Sequence, residues 1–133
     1  MTVSVAVHDK QPLVVAEDED ALRQLLQSAQ AEAAKKYKLN VVILESSIGN
    51  KLGIVLGGTD SVLTFTRADN MPPYLISRGT AEDVEPVLTC YVGLEHHTEF
   101  PRWSVVPLRH AMQGAMEFLS TGLPPRCIEW KDD

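Results

Sequence analysis

The sequence predicts an α+β domain: an antiparallel sheet of about five to six strands with two main α-helices packed on one face. Three observations carry this. Apolar residues alternate in twos near the start, at Val3, Val5 and Val7. They switch to helical spacing in two separate stretches, 19–35 and 107–121. Between those stretches lie β-branched runs divided by glycine-bearing turns. Strands, helix, strand meander, helix and a last strand give two helices that must bury their stripes on the same sheet.

Taken in order, residues 2–8 read as a strand with one buried face, and Leu13-Val14-Val15 after Pro12 reads as a second extended piece. Asp18 is placed to cap a helix, with Glu19 and Asp20 behind it at the positive end of the dipole. Leu22, Leu25, Leu26, Ala29 and Ala33 lay one apolar stripe along about 17 residues, ending in the cations Lys35, Lys36 and Lys38. Leu39–Leu44, Leu52–Leu56 and Ser61–Thr66 then form a three-stranded meander, turning at 48–51 and 57–60. Tyr74–Ser77 is a short strand, Gly79–Pro86 an acidic loop, and Val87–Val92 a further strand. Pro107 is suited to be the first residue of the second helix, and Gly122 its left-handed cap before Pro124 and Pro125. Cys127–Trp130 closes the chain as a strand.

The 133 residues suit one domain spanning 1–133. A net charge of −6 and a pI of about 5.1 disfavour nucleic acid as a direct partner, since phosphate binding needs clustered Lys and Arg. The same balance suits a basic protein partner. Two cysteines, Cys90 and Cys127, make no disulfide framework and read as reduced and mostly buried. The first residues carry no charged n-region and no long apolar run, so the expected location is the cytoplasm, away from any membrane.

No complete catalytic or metal-binding set emerges, and no cofactor is expected. His97-Thr98-Glu99 is a literal H-x-E, the pattern with which zinc deaminases hold metal and shuttle a proton. Its companion P-C-x-x-C is only echoed at Pro125-Arg126-Cys127, with Trp130 where the second thiolate belongs. His96 and His97 would face opposite sides of a strand, and His8 and His110 stand alone. Ser46-Ser47 lacks a nucleophile elbow, and Gly49, Gly53, Gly57 and Gly58 precede no G-K-[ST]. Trp103 and Trp130 read as core aromatics. The carboxylates are another matter. Glu82, Asp83 and Glu85 share one loop, and Glu95 and Glu99 flank the histidines in a second. Together they are the expected partner-binding surface.

The C-terminal third carries a recognisable pattern. Val106-Pro107-Leu108-Arg109-His110-Ala111-Met112 starts a helix, Glu117-Phe118-Leu119-Ser120-Thr121-Gly122-Leu123-Pro124 ends it, and Ile128-Glu129-Trp130 follows as a short strand. With Tyr91-Val92-Gly93 and Glu99-Phe100-Pro101, this resembles immunity protein family one of bacterial polymorphic toxin systems. The match is strong over 87–130, looser over the meander, and over 1–38 mainly one of element order. The resemblance implies a small, non-enzymatic α+β protein that binds a cognate toxin, often a nucleic-acid deaminase, and occludes its active site. It assigns no contact residue. Two alternatives stand beside it: a general binding or secretion-associated adaptor without a toxin partner, and a zinc deaminase using His97, Glu99 and Cys127.

Overall fold

The computed structural model describes residues 2–80 and 87–133. The elements in chain order are β1 (Val3–Ala6), β2 (Val14–Ala16), α1 (Glu19–Lys35), β3 (Asn40–Ser46), β4 (Lys51–Leu56), β5 (Asp60–Ser61), β6 (Leu63–Thr66), β7 (Leu75–Ser77), β8 (Leu88–Val92), β9 (His96–Phe100), a 3-10 turn at Arg102–Ser104, β10 (Val106–Pro107), α2 (Leu108–Thr121) and β11 (Trp130–Asp132).

The predicted class stands: two helices and a mostly antiparallel sheet. The sheet is larger than predicted. Among the described residues nine strands join one sheet, ordered β11-β7-β6-β4-β3-β1-β2 with β8 and β9 branching from β3, and β5 and β10 form a separate ribbon. The additional strands run from two to five residues, too short to display a period. β9 is the clearest correction. His96–Glu99 reads as a loop because its residues are polar on both faces, yet it pairs with β8 from Leu88↔Phe100 to Val92↔His96.

Local chemistry explains the helix ends. The Asp18 carboxylate accepts a hydrogen bond from Ala21 N at 2.8 Å, so α1 begins at the predicted cap. Gly122 stops α2 at φ +68, its N–H donating to Phe118 O at 2.7 Å, a left-handed geometry that favours glycine. Pro107 is not the first helical residue as predicted. It stands one position earlier, at φ −59 and ψ 143, and pairs with Asp60. The last strand is also shifted, to Trp130–Asp132, where it pairs with β7. The turn before it leaves Cys127 exposed, against the expected burial, whereas Cys90 is buried and both thiols are free.

Both helices lie over the same sheet face. Leu22, Leu26, Ala29, Ala115, Phe118 and Leu119 pack with Val3, Val5, Val42, Leu44, Leu52, Ile54, Leu63 and Phe65 in one core. Phe65 and Phe118 meet edge to face at 6.3 Å. A second core forms on the opposite face, where Val41, Val55, Val62, Ile76 and Cys90 are covered by Leu88, Phe100, Trp103 and Val105. Burial of this apolar surface is the main stabilising term. Gly79 closes that side: its N–H donates to Trp103 O at 2.6 Å, and a Cβ there would strike the Val105 backbone. Both tryptophans are partly buried, Trp130 against the first core and Trp103 against the second. No helix of the described residues is long and apolar enough to cross a membrane.

Candidate functional site

The sheet branches at Asn40, and the branch builds the site. β3 pairs with β1 from Ile43 to Ser46, but at Asn40 and Val41 it pairs in parallel with Tyr91 and Val92 of β8. Asn40 is fully buried. Its amide donates to Val7 O at 2.9 Å and accepts from Leu94 N at 3.0 Å. One side chain thus ties the end of β1 to the β8–β9 turn. Asp9 N donates to Gly93 O at 3.1 Å and draws the two segments closer.

Between these segments and the end of α1 lies a polar cleft of about 490 Å³, lined by His8, Asp9, Gln11, Lys36, Lys38 and Glu95 among others. His8 Nε2 is 2.6 Å from Glu32 Oε1, and Lys36 Nζ is 3.2 Å from Glu32 Oε2. Desolvation alone would raise the Glu32 carboxyl, but the hydrogen bonds from Lys36 and His8, with their charges, hold it below its ordinary value. His96 Nε2 stands 3.2 Å from Asp9 Oδ2, an oxygen shut off from solvent. Lys38 Nζ lies 4.8 Å above the Tyr91 ring. Acidic and basic side chains therefore share the cleft.

The two described acids of the predicted surface occupy different places. Glu95 is in the β8–β9 turn, on the wall of the cleft. Glu99 is four residues further along extended chain, about 13 Å away at strand rise. It is exposed on β9, with Oε2 3.4 Å from His97 Nε2. His97 in turn meets the Tyr91 ring edge to face at 5.9 Å. Glu82, Asp83 and Glu85 lie outside the described residues.

The H-x-E pair stays within β9, its two side chains in contact at the surface. Cys127 has separate company, where partial desolvation and the Glu117 carboxylate push its thiol up. Burial raises the Cys90 thiol to about 11, so it stays protonated at neutral pH. Among the described residues no group of three or more His, Cys, Asp or Glu is placed to hold a metal.

Sequence reasoning missed a second surface beside the cleft. Leu13, Val14 and Val15 are 56%, 45% and 57% exposed. They form and precede β2, the outermost strand on its side of the sheet. An apolar groove of about 410 Å³ runs from β2 to α1, lined by Val5, Val7, Pro12, Val14, Leu25 and Ala29. His8 and Gln11 border both hollows, so the apolar groove and the polar cleft lie side by side. The available signal was three consecutive apolar residues without alternation, between Pro12 and an acidic run.

With this geometry in place, comparison with known proteins adds one finding. The family model described as Immunity protein Imm1 matches residues 9–132, from the cleft residue Asp9 into β11. No curated protein matches the chain.

Proposed function

The chain belongs to the Imm1 immunity protein family, and from that premise we propose that it neutralises a nucleic-acid-targeting, deaminase-type toxin by covering the toxin's active site. Membership supports an immunity role and a cognate toxin as partner, and the match over nearly the whole chain is the observation that carries the reading. The finer statement rests on charge. A toxin that handles nucleic acid needs a basic cleft. A protein of net charge −6, with exposed carboxylates on the β8–β9 hairpin, is suited to fill one.

In this reading the protein performs no reaction of its own, needs no cofactor, and works in the cytoplasm without touching nucleic acid or membrane. Glu82, Asp83, Glu85, Glu95 and Glu99 contribute to the covering surface. Glu95 on the cleft wall and Glu99 on β9 are accessible for it. A standard inhibitor interface of about 1,600 Å² in total lies within reach of a domain this size.

The experiment is co-expression with the toxin gene encoded next to this one, followed by affinity capture. Growth is expected to be restored and an equimolar complex to co-purify. A toxin that still kills, with no complex recovered, overturns the proposal.

A further inference from the structure

We propose that the outer edge of β2, with the groove beside it, is where the toxin docks, and that it does so through an extended segment whose apolar side chains are flanked by Lys or Arg. This rests on the immunity reading above and names the surface and the partner chemistry.

The first argument is the open edge. β2 pairs with β1 through Val3↔Ala16, Ser4↔Val15 and Val5↔Val14, and no described strand lies on its other side. Its outward N–H and C=O groups are therefore a template for one more strand. The outer strands β9 and β11 present His96, His97 and Glu99, and Lys131 and Asp132, the charged or polar guards that native edges use. β2 presents valine on both faces.

The second argument is the groove. Val14 and its cross-strand neighbour Val5 point to the helix face, where Leu25 and Ala29 complete the apolar wall. An added strand beside Val14 would place alternate side chains over this hollow. Leu13 and Val15 offer a second apolar contact on the other face.

The third argument selects the occupant. Glu17, Asp18, Glu19 and Asp20 follow β2 directly and are exposed. On its other side, past His8 and Gln11, lies the cleft, where Asp9 and Glu95 stand with Lys36 and Lys38. The apolar centre is thus bounded by carboxylates where α1 begins and by a cleft of mixed charge on its other side, an apolar core with a charged rim. A cation-flanked apolar strand complements it. A second copy of this chain does not, because Lys10 is the only Lys or Arg it carries over residues 9–20.

The test measures toxin affinity for the wild-type chain, for the double variant Leu13→Lys/Val15→Lys, and for Leu123→Lys. Leu123 is a control residue of similar exposure, 53%, beyond the end of α2. Sedimentation of the chain alone and thermal unfolding accompany each. The edge variant is expected to bind about 30-fold more weakly or worse, as removal of an interface centre does. Its unfolding midpoint should be unchanged and the control should lie within about threefold of wild type. Hydrogen exchange on the wild-type complex guards against a misfolded variant: amides of residues 13–16 should slow on binding. Wild-type affinity in a folded edge variant, or unchanged exchange at 13–16, overturns the proposal. So does a wild-type dimer that the edge variant converts to monomer with toxin binding intact. A wild-type chain that binds no toxin fails earlier and removes the immunity reading itself.

Discussion

Glu117 shows how one carboxylate holds a turn. Its Oε2 accepts from Arg126 N at 2.7 Å, across nine residues, and Arg126 Nε approaches to 3.4 Å. The Arg126 backbone hydrogen bond is the chief reason its carboxyl sits below the ordinary glutamate value, with the guanidinium adding to it and partial desolvation opposing. A carboxyl depressed in the folded state contributes stability above the unfolded pKa and loses it as pH falls through the folded one. Glu117→Ala should therefore lower unfolding free energy by about 1.5–2 kcal/mol at neutral pH. The gap should narrow as pH drops below roughly 4, through the ordinary glutamate range and beyond. Urea unfolding of both proteins at neutral and acid pH checks it; an equal gap at both would show that charge is not what holds the turn. Such a residue is hard to read in a sequence, because its partner is a backbone group set by the path after Pro124 and Pro125. Asp18 and Gly122 are readable because a cap and its helix are local.

At the scale of elements, the β8–β9 hairpin packs Leu88, Cys90 and Phe100 into the second core but joins the sheet ladder through a short pairing. Only Asn40↔Tyr91 and Val41↔Val92 pair it with β3, and the Asn40 side chain reinforces them through Leu94 N. Asn40→Ala would strip partners from Leu94 N and Val7 O at a fully buried position, at a cost of about 2–4 kcal/mol for two orphaned groups. Hydrogen exchange in β8 and β9 should then quicken before the β3–β4 ladder loosens, since that ladder keeps all six of its pairs. Uniform quickening across the sheet would show that Asn40 holds the whole molecule rather than the hairpin. The meander β3-β4-β6 was legible because turns at 48–51 and 57–60 separate apolar, β-branched runs, the last of which alternates. β9 was not, because His96, His97 and Glu99 give no apolar period, and its register comes from β8. The role of β2 was half legible: its extended form follows from Leu13-Val14-Val15, but its exposure depends on the sheet ending there.

For the whole molecule, two kinds of surface make separable contributions to a toxin complex. The net charge of −6 acts at a distance, accelerating encounter with a cationic partner and doing so less as salt rises. The apolar edge at Leu13–Val15 acts only on contact, by area removed from water, which salt does not screen. Glu95→Lys/Glu99→Lys should slow association about tenfold at low ionic strength and leave dissociation nearly unchanged. At roughly 1 M salt, where the Debye length is about 3 Å, that variant and wild type should associate at similar rates. Leu13→Lys/Val15→Lys also changes charge, so part of its defect fades with salt. Its fast dissociation should persist, because the lost contact is apolar. Stopped-flow association and dissociation across a salt series separates the two. Charge reversals that alter neither the rate nor its salt slope would remove Glu95 and Glu99 from the covering surface, leaving the sheet edge to account for recognition.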